Sequence, residues 1–295
     1  MNKLKGILEQ SGLSSKLVML FAVLCFFVLI LTPISSLISV SSLSAVEQMK
    51  LSQLFLSIGT FILPPFVLAY LCSKKPSAYL YLNDKMKWSD AGTIILFMLL
   101  IIPVVNLLGD LNQQLVLPKS FSGLENWMKL TEDKATRLEE KMLQVHSWYA
   151  LFFNIVLIAV LPAIGEELFF RGALIRIFRE WRGFQPAIWI VAFIFSAIHL
   201  QFYGFVPRLL LGAFFGYLLL WSGNLWLPIL AHFINNVVAV IFYYLRFNGY
   251  KLPDIDSIGF GNTLWIGLLS GALGIFGILW LRSRFNRQLN NPGNL

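Results

Sequence analysis

The sequence predicts an all-α, polytopic integral membrane bundle of about eight transmembrane helices. Three observations carry that expectation: hydrophobic residues make up 57% of the 295, charged residues only 13%, and the mean hydropathy is +0.72. Soluble domains carry about 25% charged residues. This chain lacks the polar cover for a wetted surface, so much of its area should face lipid. Its formal net charge of +8 would suggest nucleic acid in a soluble protein. Here the basic residues sit between apolar stretches, where they orient a membrane protein, without the aromatic–basic interleaving of a nucleic-acid binder. Cys25 and Cys72 lie inside apolar runs, form no metal-binding pair, and read as packing.

The apolar stretches cover residues 16–39, 51–72, 91–108, 148–177, 186–200, 206–221, 225–245 and 263–281. A crossing takes about 20 residues, so the fifth and sixth borrow from their flanks. Lys3, Lys5 and Lys16 precede the first stretch; the alternative of a signal peptide ending near residues 42–45 is disfavoured by its long apolar core. Lys74, Lys75, Lys85 and Lys87 follow the second. The third leads into a polar loop at 109–147, read as extracytoplasmic. In it Leu124, Met128, Ala135, Leu138, Met142 and Val145 recur at helical spacing opposite Glu125, Glu132, Asp133, Glu139 and Glu140. That pattern predicts an amphipathic helix on the outer interface, acting as a connector.

Arg171, Arg176, Arg179 and Arg182 lie between the fourth and fifth stretches, and Arg282, Arg284 and Arg287 follow the eighth. The opposite short loops hold only Lys50, Arg208, Arg246 and Lys251. Cytoplasmic loops are enriched in Lys and Arg, which predicts cytoplasmic termini. The compact loops point to a bacterial cytoplasmic membrane. Gly212/Gly216 and Gly267/Gly271 have the spacing that lets membrane helices approach closely. Residues 1–295 read as one membrane domain.

Chemistry concentrates in the fourth to seventh stretches. Glu166 and Glu167 are adjacent carboxylates at membrane depth, a costly placement unless they face a polar cavity or a partner. Glu167 and Arg171, at i and i+4, can neutralise each other, leaving Glu166 turned about 100° away. His199 stands about as far after the turn near Arg182 as Glu166 stands before it, so an antiparallel hairpin brings the two to one level. His232 and Asn236 share one face of the seventh stretch. Pro162 lies four residues before Glu166 and frees the carbonyl four residues earlier still; Pro228 stands likewise before His232. A Glu–His pair can deprotonate water, and a His–Asn pair can stabilise an oxyanion, the two halves of amide hydrolysis. Alternatively, Glu166, His199 and His232 form a two-His, one-carboxylate zinc site, although no H-E-x-x-H is present.

Glu166-Glu167-x-x-x-Arg171, Phe195-x-x-x-His199 and His232-x-x-x-Asn236 resemble the three motifs of the CPBP family. That family groups the type II CAAX prenyl endopeptidases with bacterial proteins linked to bacteriocin processing and self-immunity. The resemblance covers residues 151–245, the expected catalytic core. It implies eight helices, a conical cavity open toward the cytoplasm, and proteolysis of membrane-associated or lipidated substrates. By motif position, Glu166 and His199 activate water, His232 and Asn236 form the oxyanion site, and Glu167 and Arg171 orient it. The expectation is an enzyme without cofactor, zinc being the alternative, that acts on a membrane-associated peptide or protein. A non-catalytic scaffold or immunity partner and a proton-coupled transporter are the competing readings; no repeated halves support the last.

Overall fold

A computed structural model describes residues 4–37, 43–115 and 117–289. Lys3 and the end of the first apolar stretch lie outside the described residues. The principal helices are α1 (Leu13–Leu37), α2 (Ala45–Cys72), α3 (Trp88–Leu100), α4 (Ile102–Gln113), α5 (Ser122–Leu143), α6 (Trp148–Arg182), α7 (Phe184–Ala197), α8 (Phe205–Ser222), α9 (Trp226–Phe247) and α10 (Leu264–Leu289). No strand occurs among the described residues. Six helices are long and apolar enough to cross a membrane, and the bent pair α3–α4 makes up to seven. Besides the two halves of that pair, α7, with 14 residues, is an apolar helix too short to span. The protein is an all-α integral membrane bundle.

Local chemistry sets the breaks. Ser44 and Glu47 cap α2 reciprocally, Ser44 N donating to Glu47 Oε2 at 2.8 Å and Glu47 N to Ser44 Oγ at 3.3 Å. The bend of 41° between α3 and α4 falls beside Pro103, which removes a backbone donor. Ser270 of α10 fills the gap: its hydroxyl donates to Leu100 O at 2.7 Å and accepts from Val104 N at 3.3 Å. Around Pro162, α6 widens into π-helical turns at Ile155–Val160 and Glu167–Leu174. The α6–α7 hairpin turns at Gly183, whose φ of 80° suits glycine.

Helix ends sort into two faces. On the first, Lys16 Nζ meets Glu180 Oε2 at 2.6 Å, Arg284 Nη2 meets Asp90 Oδ1 at 2.7 Å, and Asn224 Nδ2 donates to Asp84 O at 3.1 Å. The start of α1 and the last turns of α10 therefore share a side. On the second, Asn112 donates to Phe202 O and accepts from Val206 N, both at 2.8 Å, and Asn248 Nδ2 donates to Val145 O at 3.1 Å. Helix α5 lies on this second face, opposite the start of α1 and the last turns of α10.

Small residues let α6 and α8 sink into the bundle. A Cβ on Gly165 would stand 2.9 Å from Phe61 Cβ of α2, and one on Gly216 would stand 2.9 Å from Ile188 Cγ2 of α7. A Cβ on Gly267 would press closer still on the carbonyl oxygen of Gly259. The outer helices α1 and α10 turn residues such as Leu29, Ile275 and Phe276 outward, as lipid-facing surfaces do.

Candidate active site

Glu166 and Glu167 diverge as the spacing predicts. The Glu167 side chain is wholly buried, whereas that of Glu166 is 14% exposed and reaches a cavity. Arg171 Nη1 donates to Glu167 Oε1 at 2.8 Å, and Nη2 donates to the carbonyl of Gly212 at 2.8 Å. The guanidinium lies 4.7 Å from the Phe195 ring centre and 5.4 Å from that of Phe215. A side chain on Gly212 would crowd this contact, its Cβ lying 3.2 Å from Phe195 Cδ1 and 3.4 Å from Arg171 Nη2. One glycine of the small-residue pair in α8 thus admits a cation to the backbone as well as a neighbouring helix.

The buried pair also governs His232. Its Nδ1 lies 2.9 Å from Glu167 Oε1. An ionised carboxylate only accepts, so Nδ1 carries the hydrogen and the neutral ring leaves its lone pair on Nε2. That Nε2 lies 3.8 Å from Glu166 Oε2, beyond direct hydrogen bonding. Phe215 stacks on the imidazole with ring centres 5.5 Å apart and planes 24° apart. His232 is therefore held by a carboxylate at one end and an aromatic face along its side.

His199 lies just beyond α7. Its Nδ1 donates to Phe195 O at 2.7 Å, leaving Nε2 as the acceptor of the neutral ring. Asn236 stands one turn after His232, and its Nδ2 donates to Ile158 O at 3.3 Å. Ile158 is the residue four before Pro162, whose missing N–H leaves that carbonyl open. The proline predicted to loosen α6 thus gives α9 an anchor. Asn236 Oδ1 accepts from Asn235 Nδ2 at 3.1 Å.

Glu166, His199, His232 and Asn236 all line one cavity of about 1600 Å³. Glu167 and Arg171 stand behind its wall. The equal-depth argument for the α6–α7 hairpin holds insofar as Glu166 and His199 share this cavity. They are not a hydrogen-bonded pair: the imidazole nearest Glu166 is His232, because α9 packs against the same stretch of α6. The zinc alternative requires Glu166, His199 and His232 around one ion. Among the described residues no three His, Cys, Asp or Glu side chains are so grouped.

Two further expectations change. The amphipathic helix of the polar loop is α5, but it does more than connect, since Glu132, Thr136 and Glu139 help line the cavity. The cavity also lies on the α5 side of the bundle, among Gln48, Ser52, Gln201 and Tyr243. A cavity open toward the cytoplasm and cytoplasmic termini therefore exclude each other here.

Arg208 and Gln201 also line the cavity, which the sequence reading does not single out. Arg208 donates from Nη2 to Gln201 Oε1 at 2.7 Å and from Nη1 to Gln201 O at 3.2 Å. The available signal was a lone cation opening an apolar helix. Glu132 and Glu139, seven residues apart, were likewise legible as one helical stripe. Partial burial pushes both carboxyls above the usual range, against the lowering pull of the Tyr203 amide on Glu132 and of Arg208 on Glu139.

Residues 148–238 match the family model described as type II CAAX prenyl endopeptidase Rce1-like, a segment containing all seven motif residues. The uncharacterized protein YpbD of Bacillus subtilis (strain 168) is 30% identical over 108 residues, 35% of this chain and 52% of that protein. The chain thus spans about half the length of the curated relative it matches. No solved structure matches it.

Proposed function

From an Rce1-like core over residues 148–238, consistent with the CPBP family, we propose that this protein is an intramembrane endopeptidase. Its substrates are membrane-associated or lipidated polypeptides, hydrolysed by water without a covalent intermediate. The observation that carries this reading is the convergence of Glu166, His199, His232 and Asn236 on one cavity inside an apolar bundle. Intramembrane ionisable groups persist chiefly where they serve function.

Glu166 is the general base. The 3.8 Å between its Oε2 and His232 Nε2 suits one water accepted by both atoms. As that water attacks the scissile carbonyl carbon, its proton passes to Glu166 and then to His232 Nε2. The resulting imidazolium is stabilised through Nδ1–H by Glu167, and it returns the proton to the leaving nitrogen as the C–N bond breaks. An N–H of Asn236 faces the oxyanion, and His199 Nε2 helps hold the water. This assigns His232 a proton-carrying role that its bond to Glu167 favours over a purely oxyanion role. The reaction so written needs no metal.

In this reading both termini face the cytoplasm of a bacterial cell, which the basic bias of the face shared by the start of α1 and the last turns of α10 supports. The test is a comparison of membrane-protein N-termini between cells carrying the wild type and cells carrying Glu166→Gln. New N-termini within or next to membrane segments should vanish in the variant; identical sets would refute hydrolysis.

A further inference from the structure

We infer that the active-site cavity is entered from the extracytoplasmic side, so that its substrates are exported or membrane-anchored polypeptides presenting their scissile segment there. The term substrate rests on the hydrolytic reading above; the direction of entry does not. Two independent observations combine. The first is geometric. Thr136 and Glu139 of α5, Gln48 and Ser52 near the start of α2, and Gln201 beyond α7 line the cavity. All belong to the face where Asn112 meets Phe202 and Asn248 meets Val145. The start of α1 and the last turns of α10 lie on the opposite face, tied there by Lys16–Glu180 and Arg284–Asp90.

The second observation is electrostatic. The face of the chain ends gathers Lys5 and Lys16, Lys74 and Lys75, Lys85 and Lys87, three arginines at the end of α6, and Arg282 and Arg284. Against them stand only Glu9, Asp84, Asp90 and Glu180 among the described residues. On the α5 face the two signs nearly balance, because α5 interleaves Lys129, Lys134 and Lys141 with Glu125, Asp133 and Glu140. Short loops rich in Lys and Arg stay in the cytoplasm, which turns the α5 face, and the cavity with it, outward. A floor of Glu166 and His232 under a roof of Glu132 and Glu139 then receives chain from outside.

Thiol labelling reads this directly, without any substrate. The full-length protein would carry Cys25→Ala and Cys72→Ala, with one new cysteine at a time: Ser52→Cys or Thr136→Cys on the cavity wall, and Asn83→Cys on the opposite face. All three positions are exposed, and none is catalytic. A membrane-impermeant maleimide applied to intact spheroplasts should label Ser52→Cys and Thr136→Cys as fully as it does after permeabilisation. Asn83→Cys should react only after permeabilisation. Labelling of Asn83→Cys in intact spheroplasts, or cavity cysteines that need permeabilisation, overturns the inference. Two cavity positions guard against one variant misfolding. Should Glu166→Gln leave N-termini unchanged while the labelling holds, the hydrolytic reading fails and the outward cavity stands.

Discussion

His232 Nδ1 and Arg171 Nη1 converge on one oxygen of Glu167, at 2.9 and 2.8 Å. One buried carboxylate therefore fixes the tautomer of an imidazole on α9 and neutralises a guanidinium on its own helix. Removing one partner of a buried ion pair costs about 3–5 kcal/mol, because the other charge is left uncompensated. Glu167→Gln should lower the thermal unfolding temperature in detergent and also reduce turnover. Arg171→Lys should not rescue either, since an ammonium cannot span Glu167 and the Gly212 carbonyl as the planar fork does. A Glu167→Gln protein that melts like the wild type would contradict the arrangement.

Gly165 offers a purely steric test beside the proposed base, Glu166. Its Cβ position lies 2.9 Å from Phe61 Cβ and 3.2 Å from Ile62 Cγ1, atoms close to the α2 backbone that yield little. Gly165→Ala should force α2 and α6 apart and destabilise by about 1–3 kcal/mol, the usual range for overpacking. Gly92→Ala, where nothing lies within 4 Å, is the control and should not lower the unfolding temperature, since Ala favours the helix more than Gly does.

Asn236 and Asn235 are neighbours with different expected roles. Loss of one oxyanion donor costs about 10²–10³ in kcat, so Asn236→Ala should lower kcat by that factor with KM little changed. The exposed Asn235 donates only to the Asn236 side chain at 3.1 Å, and Asn235→Ala should cost far less. Equal losses in the two variants would remove Asn236 from the oxyanion site.

Helix α5 should respond to pH. Burial raises the Glu132 and Glu139 carboxyls above the ordinary carboxylate value of 4.5. The docked helix therefore binds more protons than the undocked one as pH climbs from 4.5 into the raised range, and docking weakens over that window. Hydrogen exchange of α5 amides, corrected for intrinsic rates, should show protection falling as pH rises. The double variant Glu132→Gln, Glu139→Gln should flatten the dependence; an unchanged slope would mean other groups set it.

Much of this was legible in the sequence because membrane chemistry is restrictive. Carboxylates and imidazoles at membrane depth demand partners, so Glu166, His199, His232 and Asn236 stood out on apolar helices, and they line one cavity. The i, i+4 rule found the Glu167–Arg171 pair. What the sequence hid is three-dimensional. Spacing along a hairpin matches depth and not azimuth, so it suggested His199 for Glu166 where packing of α9 supplies His232. Amphipathicity revealed α5 without saying what its polar face covers. The bend between α3 and α4 depends on Ser270, far away in the chain. No local pattern announces such a contact.

The central claim is that Glu166 activates water without a metal. The most direct measurement is turnover of the purified, reconstituted protein after exhaustive chelation, on a substrate found by the N-terminus comparison, beside the same preparation of Glu166→Gln. Loss of a general base costs about 10²–10⁴ in rate, so the chelated wild type should keep its activity while Glu166→Gln falls by that factor with its fold intact. Wild-type turnover in Glu166→Gln, or chelated activity that vanishes and returns with added zinc, would contradict the account.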